Sequence, residues 1–378
     1  MNKKILYITN ISNGVSSFSV SAVRAAKKLG YEFYLAGNFV GTSKKKLEHD
    51  ENDYGIKIYQ IDLSRSPYSK KNFKAYKQII ELIESESIDY IHCNTPVGGL
   101  LGRLAGEKCK VKRIIYQVHG FHFFAGAPKK NWCLYYPIEK WLAKKTDAII
   151  TINEEDFKRA SSFRLRNNGQ VYYVPGVGVD LGQFVIDDEV RKEKRLELDI
   201  QKEDIVLVSA GELNINKNNR VIIEALAKIK NDKVHYFICG QGELEKELRT
   251  LAENKGIKKQ VHFLGYRTDM KELLLAADVF VMPSIREGLS RSIMEAMASG
   301  LPCLVSRIRG NCDLIIDNEG GYLCNPYSVD EFSDGINKLL LLETRCRFGI
   351  FNKTRVKKFS IDVVQDSLIK CYKNVFED

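Results

Sequence analysis

Tyr173-Val174-Pro175-Gly176-Val177-Gly178 decides how this chain is divided. One proline and two glycines in so short a stretch interrupt any regular element and mark a turn or linker. On both sides of it, short apolar runs alternate with segments of helical spacing. Upstream, strands are expected over residues 4–9, 32–36, 58–61, 90–93, 114–118 and 148–152. Helices are expected between them over 17–29, 73–83, 97–105, 132–142 and 155–161. In 73–83, Phe73, Tyr76, Ile79, Ile80 and Ile83 form one stripe. Downstream, a charged stretch runs from Asp187 to Asp204 before the alternation restarts at 205–210 and 221–229. It continues through 234–239, 244–252, 261–264, 270–276, 279–282, 293–298 and 303–306. Strand-helix alternation implies a parallel sheet covered on both faces. The expected class is therefore α/β, with two doubly wound domains over residues 1–178 and 179–378.

Bulk properties agree with that division. The chain has 378 residues, which suits two domains of about 100–200 residues each. Hydrophobic residues make up 44%, enough for an ordinary core in each half. No segment approaches the roughly 18 apolar residues of a spanning helix. The apolar run at residues 3–9 is too short for a signal peptide and lacks a small-residue cleavage site, so it reads as a buried first strand. The nine cysteines are odd in number and form no Cys-X-X-Cys pair. A disulfide framework or zinc site is not expected, and a reduced, cytoplasmic setting is.

The net charge of +10 is unevenly placed. Residues 1–178 hold 28 Lys+Arg against 16 Asp+Glu, and the remainder 30 against 32. Such a field suits a polyanion, an anionic membrane surface or a phosphate-bearing acceptor, although solubility alone would also explain it. Nucleic acid is not an expected partner: the basic residues are spread over many loops, and no recognition helix gathers them.

In doubly wound sheets, ligands bind beyond the carboxyl ends of the strands. Five loops occupy such places. The first, Asn10 to Ser16, contains Gly14, which permits close backbone approach, but no G-x-G-x-x-G. The second begins at His119-Gly120, where an imidazole can meet sugar hydroxyls or a developing charge, and continues through Phe121, Phe123 and Phe124. Those phenylalanines are either core or an acceptor-facing wall. The third, Gly211 to Arg220, sets Lys217 beside a helix entry, a place suited to a pyrophosphate. The fourth is Gly240-Gln241-Gly242-Glu243, whose glycines would let a nucleotide lie close. Ordinary turns explain the first and fourth equally well, and a solvated lysine explains the third.

The fifth loop is the most distinctive. It runs Pro283-Ser284-Ile285-Arg286-Glu287-Gly288-Leu289-Ser290, then into a helix containing Glu295. A helix starting near Ser290 offers its amides to an anion, while Glu295 can accept from ribose hydroxyls. A glutamate among Ile293, Met294, Ala296 and Met297 needs a reason beyond solvation.

In this order, the loops resemble the retaining glycosyltransferases of family 4, which have the GT-B fold of two Rossmann-like domains facing a central cleft. The resemblance covers most of the chain. Glu287 and Glu295 match the family's E-x7-E motif, which implies that Glu287 lies near the donor sugar and Glu295 binds the ribose. The backbone of Gly288, Leu289 and Ser290 would then meet the sugar and diphosphate. Lys217 matches the lysine that binds the donor pyrophosphate, and His119 a histidine placed at the sugar. The segment from His119 to Trp141, with Tyr135-Tyr136-Pro137-Ile138-Glu139-Lys140-Trp141, looks like bacterial capsule and exopolysaccharide transferases.

The resemblance implies an acceptor-binding first domain and a donor-binding second one, with the last helix a candidate to pack back on the first. It implies transfer of a hexose or N-acetylhexosamine from a nucleotide-diphosphate sugar, a UDP-sugar by expectation. The acceptor would be a glycan or polyprenyl-linked sugar at the cytoplasmic face of the plasma membrane, during cell-surface polysaccharide synthesis. The residues assigned to catalysis are His119, Lys217 and Glu287. Those assigned to the donor are Gly14, Gly211, Lys217, Gly240, Gly288, Leu289, Ser290 and Glu295. No cofactor or metal is expected, and no Asp-X-Asp occurs. One departure stands out: Glu212 occupies a position where the family usually has arginine. A carboxylate there must point away from a pyrophosphate or pair with a cation such as Lys217 or Arg220, with Arg220 or Arg291 supplying the missing charge. Competing readings are a non-catalytic basic binding protein and a sugar-nucleotide epimerase of the same architecture.

Overall fold

The computed structural model describes residues 2–377. The chain divides into two compact units: Met1–Gly178 together with Ile361–Asp378, and Val179–Ser360.

The first unit is built on β1 (Lys4–Ile11), β2 (Glu32–Asn38), β3 (Lys57–Gln60), β4 (Tyr90–Asn94), β5 (Arg113–Val118), β6 (Ala148–Thr151) and β7 (Gln170–Tyr173). Its helices are α1 (Val20–Lys28), α2 (Lys44–Tyr54), α3 (Lys71–Ser85), α4 (Pro96–Lys108), α5 (Lys129–Ala143) and α6 (Glu154–Ala160). All strand pairs are parallel, in the order β3-β2-β1-β4-β5-β6-β7. The central strands are apolar on both faces because helices cover both. One face packs Ile79 of α3, Leu101 of α4 and Ala143 of α5 over Ile8 and Ile114.

The second unit contains α7 (Asp188–Glu197), β8 (Ile205–Ala210), α8 (Asn219–Ile229), β9 (Val234–Cys239), α9 (Glu245–Asn254), β10 (Val261–Gly265) and α10 (Met270–Ala276). It continues with β11 (Val279–Met282), α11 (Arg291–Ala298), β12 (Cys303–Ser306), α12 (Asn311–Leu314), β13 (Gly321–Cys324), α13 (Val329–Leu339) and α14 (Leu342–Arg355). Its parallel sheet runs β10-β9-β8-β11-β12-β13. The chain then returns to the first unit as α15 (Ile361–Phe376).

The stripe Val364, Leu368, Cys371, Tyr372 and Val375 buries α15 against Ala22, Ala26 and Tyr90. Its spacing of three and four residues keeps these side chains on one helix face. The Tyr372 hydroxyl lies 2.6 Å from Nδ1 of the buried His92. Tyr90 donates to the Phe376 carbonyl at 2.9 Å and stacks on its ring at 4.2 Å between centroids.

One feature differs from the sequence expectation. Phe73 is 76% exposed rather than part of the buried stripe. It lies two residues, roughly 200° of helix, from Ala75, which with Ile79, Leu82 and Ile83 forms the core face of α3. The charged stretch after Asp187 is largely helix. Asp187 caps α7 by accepting from Glu189 and Val190 at 3.1 Å, while Arg191 and Arg195 both reach Asp278. Among the described residues, no helix is long and apolar enough to cross a membrane.

Candidate functional site

In each sheet the strand order reverses once. The gap at such a reversal is where a doubly wound sheet leaves a crevice. In the second unit this falls between β8 and β11. The loop after β8 turns at Gly211, whose φ is +155°; a Cβ there would meet Lys217 Cε at 2.9 Å. Glycine thus lets the Lys217 side chain fold back over the strand end. The Asn214 side chain accepts from the Lys217 amide at 3.1 Å and fixes the turn. Three bonds tie this loop to the one after β11: Ile285 N–H to the Asn216 carbonyl at 2.8 Å, Asn216 Nδ2 to the Arg286 carbonyl at 3.0 Å, and Asn218 Nδ2 to the Pro283 carbonyl at 3.2 Å.

This bracing brings Lys217 Nζ to within 2.7 Å of Glu287 Oε1, with the two side chains 22% and 15% exposed. Gly240 completes the floor: a Cβ on it would lie 1.9 Å from the Gly211 carbonyl oxygen. Beyond Glu287, Ser290 caps α11 by accepting from Ile293 at 3.4 Å. Glu295 sits one turn inside α11, 19% exposed, 2.8 Å from Arg291 Nε. Burial raises its carboxyl pKa, and Arg291 opposes the rise. The turn at Gly288 and Leu289 is pressed by the loop after β12. A Cβ on Gly310 would fall 2.2 Å from the Gly288 oxygen, and Arg309 Nε donates to the Glu287 carbonyl at 3.3 Å. Three buried polar atoms near the carboxyl ends of β11 and β12, Ser284 Oγ, Ser306 Oγ and Asn311 Oδ1, have no partner among the described residues. Desolvated groups of that kind are costly unless a ligand or water reaches them.

Lys217, Glu287, Gly211, Gly240, Gly288, Leu289, Ser290 and Glu295 therefore all belong to this one unit. Gly14 and His119 belong to the other. Of the two expectations for Glu212, pairing with Lys217 or Arg220 does not occur: its exposed carboxylate accepts from Asn214 Nδ2 at 3.0 Å. Lys217 is taken by Glu287, and Arg220 by Glu224 and Glu247, each at 3.1 Å. Arg291 is occupied by Glu295. A second cation against the Glu287 turn is Arg309, whose Nε donates to the Glu287 carbonyl and which the sequence reading missed. Its signal was a further strand end, Val305-Ser306, followed by the turn residues Arg309-Gly310-Asn311.

The first unit's reversal lies between β1 and β4. His119, after the neighbouring β5, sets Nε2 3.1 Å from Asn94 Oδ1 at the end of β4. With Asn94 in this orientation, Nε2 carries the proton and Nδ1 presents a lone pair. Nδ1, Asn94 Nδ2 and Asn10 Oδ1 are buried without partners among the described residues. Burial pushes the His119 pKa down to about 4, so the ring is neutral at neutral pH. Phe18, 54% exposed, stands edge-on to this ring at 5.3 Å. Phe121 and Phe123 are 3% and 0% exposed, hence core rather than a wall. Gly14 serves its own loop, since its φ is +105° and a Cβ would collide with Asp50 Oδ2 at 2.1 Å. That carboxylate accepts from the Val15 amide at 2.9 Å.

Comparison with known proteins places these two crevices in context. Residues 4–153 match the family described as "Glycosyl transferase 4-like", and residues 190–355 match "Glycosyl transferases group 1". The chain is 36% identical to EpsD of Bacillus subtilis, which carries a glycosyltransferase name, over 92% of this chain and 90% of that protein. It is 31% identical to the UDP-Gal:alpha-D-GlcNAc-diphosphoundecaprenol alpha-1,3-galactosyltransferase of Escherichia coli, over 79% of this chain and 80% of that enzyme. Among solved structures, HepE of Anabaena in complex with UDP and glucose superposes with a TM-score of 0.80 at 17% identity, covering 99% of this chain and 100% of HepE.

Proposed function

This chain belongs to the family 4-like glycosyltransferases of the GT-B fold, and on that premise we propose that it moves a hexose or N-acetylhexosamine from a UDP-sugar to a polyprenyl-diphosphate-linked acceptor. The transfer retains the anomeric configuration and serves cell-surface polysaccharide synthesis. The UDP-galactose and diphosphoundecaprenol in the name of the Escherichia coli relative support this choice of donor and acceptor.

The observation that carries the reading is the Lys217–Glu287 pair at the reversal point of the second sheet. A half-buried ammonium already balanced by one carboxylate can turn to a diphosphate without losing a counter-charge. As the bond between the anomeric carbon and the diphosphate breaks, Lys217 and the first amides of α11 stabilise the departing charge in place. Glu287, released towards the sugar, faces the positive charge that develops at the anomeric carbon. Arg309 supplies the cation that Glu212 cannot. His119, held neutral, accepts a hydrogen bond from a sugar hydroxyl at Nδ1. No metal ion is needed in this scheme.

The test is a panel of sugar nucleotides offered with undecaprenyl-diphosphate-linked N-acetylglucosamine. One UDP-sugar should be consumed, and NMR should show an α-linked product from an α-linked donor. A β-linked product would remove the retaining mechanism; indifference to every nucleotide sugar would remove the donor assignment.

Glu295 is assigned to the ribose. Truncation to Ala is expected to weaken UDP binding by about 1–3 kcal/mol, since a ribose hydroxyl loses its charged acceptor. Glu295→Gln should cost less. Titration calorimetry checks this, and unchanged affinity in the Ala variant would refute the assignment.

A further inference from the structure

We propose that α5 is an interfacial anchor: its outer face lies in the headgroup region of an anionic bilayer and carries the His119 loop to that surface. The purpose of the anchor rests on the lipid-linked acceptor proposed above; the anchor itself rests on the geometry of the first unit.

The inner face of α5 is firmly held. Leu142 and Ala143 are buried, and Trp132, Tyr135 and Tyr136 pack against the core. Glu139 pairs with Arg103, which is 0% exposed. The outer face carries Leu134, Ile138 and Trp141, exposed by 43%, 39% and 48%. Spacings of four and three residues put these on one stripe, and the exposed Pro137 lies on it as well. At about 100° per residue, Lys130 falls on the N-terminal end of that stripe and Lys144 beside it, with Lys140 and Lys129 next to them. All four lysines are exposed. An apolar stripe with a cationic flank is the pattern of a helix lying in a membrane interface, and tryptophan favours that depth.

Charge selects the occupant. The first unit holds 30 Lys+Arg against 20 Asp+Glu, and the second 28 against 28, so the whole excess belongs to the unit that carries α5. A second copy of the chain docked on this stripe would set the four lysines against their own counterparts. An anionic lipid surface meets both the stripe and the lysines. Helix α3, on the same face of the sheet, adds the exposed Phe73 among Lys70, Lys71, Lys74 and Lys77.

The anchor reaches the loop through aromatic contacts. The His122 ring lies 4.7 Å from Tyr135, and Phe123 lies 5.7 Å from Trp132 and 5.3 Å from Tyr136. Asn131 Nδ2 donates to the His122 carbonyl at 2.9 Å. A docked α5 therefore sets the height of His119 above the lipid, where a polyprenyl-linked sugar presents its hydroxyl.

The chain has two tryptophans, so a full-length Trp132→Phe variant leaves Trp141 as its single indole. It is mixed with vesicles of phosphatidylglycerol or of phosphatidylcholine, without acceptor, and the parent protein is read alongside in case the variant folds poorly. We expect Trp141 emission to shift to the blue and to be quenched by brominated lipid with phosphatidylglycerol alone. The Leu134→Gln/Ile138→Gln protein should sediment with those vesicles at least tenfold less, with UDP affinity unchanged within twofold. Sedimentation without any Trp141 response would overturn insertion in favour of surface charge alone. A concentration-dependent dimer abolished by the same two substitutions would overturn the lipid assignment in favour of a second copy of the chain. Transfer to the lipid-linked sugar in detergent separates the two ideas. Transfer without insertion would sink the anchor and leave the acceptor standing; insertion with transfer only to soluble glycans would do the reverse.

Discussion

Lys217→Ala is expected to lower turnover by about a hundredfold or more, the scale on which a preorganised charge at a developing anion is worth two to three orders of magnitude. Lys217 is placed by a glycine that makes room for its stem, by the Asn214 cap and by Glu287. Removing the ammonium does more than delete an attraction: Glu287 then stands uncompensated beside an incoming diphosphate and repels it. The Lys217→Ala/Glu287→Gln protein should therefore bind UDP better than Lys217→Ala alone, while remaining slow. A double-mutant cycle on UDP affinity and turnover measures that coupling. Steady-state rates within threefold of the parent in the single variant would sink the assignment.

Glu139→Ala should destabilise the first unit by about 3–5 kcal/mol, because it strands a buried cation. The Arg103 guanidinium stacks 3.8 Å from the centre of the Tyr116 ring, donates to the Gly99 carbonyl at 2.8 Å, and meets Glu139 at 2.8 and 3.3 Å. None of those neighbours except Glu139 carries a negative charge. Replacing both partners, as Arg103→Met/Glu139→Leu, should cost less than removing Glu139 alone, since no unpaired ion remains. Urea unfolding, followed by Trp132 and Trp141 fluorescence on α5, reads the first unit directly. A midpoint for Glu139→Ala indistinguishable from the parent would show that the pair contributes nothing.

The alternation of strands and helices made the two-sheet architecture legible, and with it the loops holding Lys217, Glu287 and His119 and the helix holding Glu295. What periodicity could not reveal was strand order. Lys217 and Glu287 are 70 residues apart and meet only because β11 lies beside β8, a crossover that no local pattern encodes. The choice of partner for Glu212 was equally hidden, because a side chain's bond to Asn214 two residues away competes with cations elsewhere in the loop. Helix α2 lacks an apolar stripe; Ser43 begins it by accepting from Lys46, and Gly55 ends it in the left-handed region. Such helices are defined by their ends rather than their faces. Gly14 shows the opposite ambiguity, since a glycine made for a ligand and one made for Asp50 look alike in sequence.

The return of α15 bears on the order in which the protein is made. Its buried stripe closes the core around Ala22, Ala26 and Tyr90, and its Tyr372 partners His92. A ribosome synthesises β1 to β7 early, then the whole second unit, and α15 afterwards. The unit begun first is thus the one completed last, with part of one apolar face of its sheet uncovered while the intervening unit emerges. Nascent chains at that stage are the ones most exposed to aggregation, and the ones with most reason to be held by a chaperone.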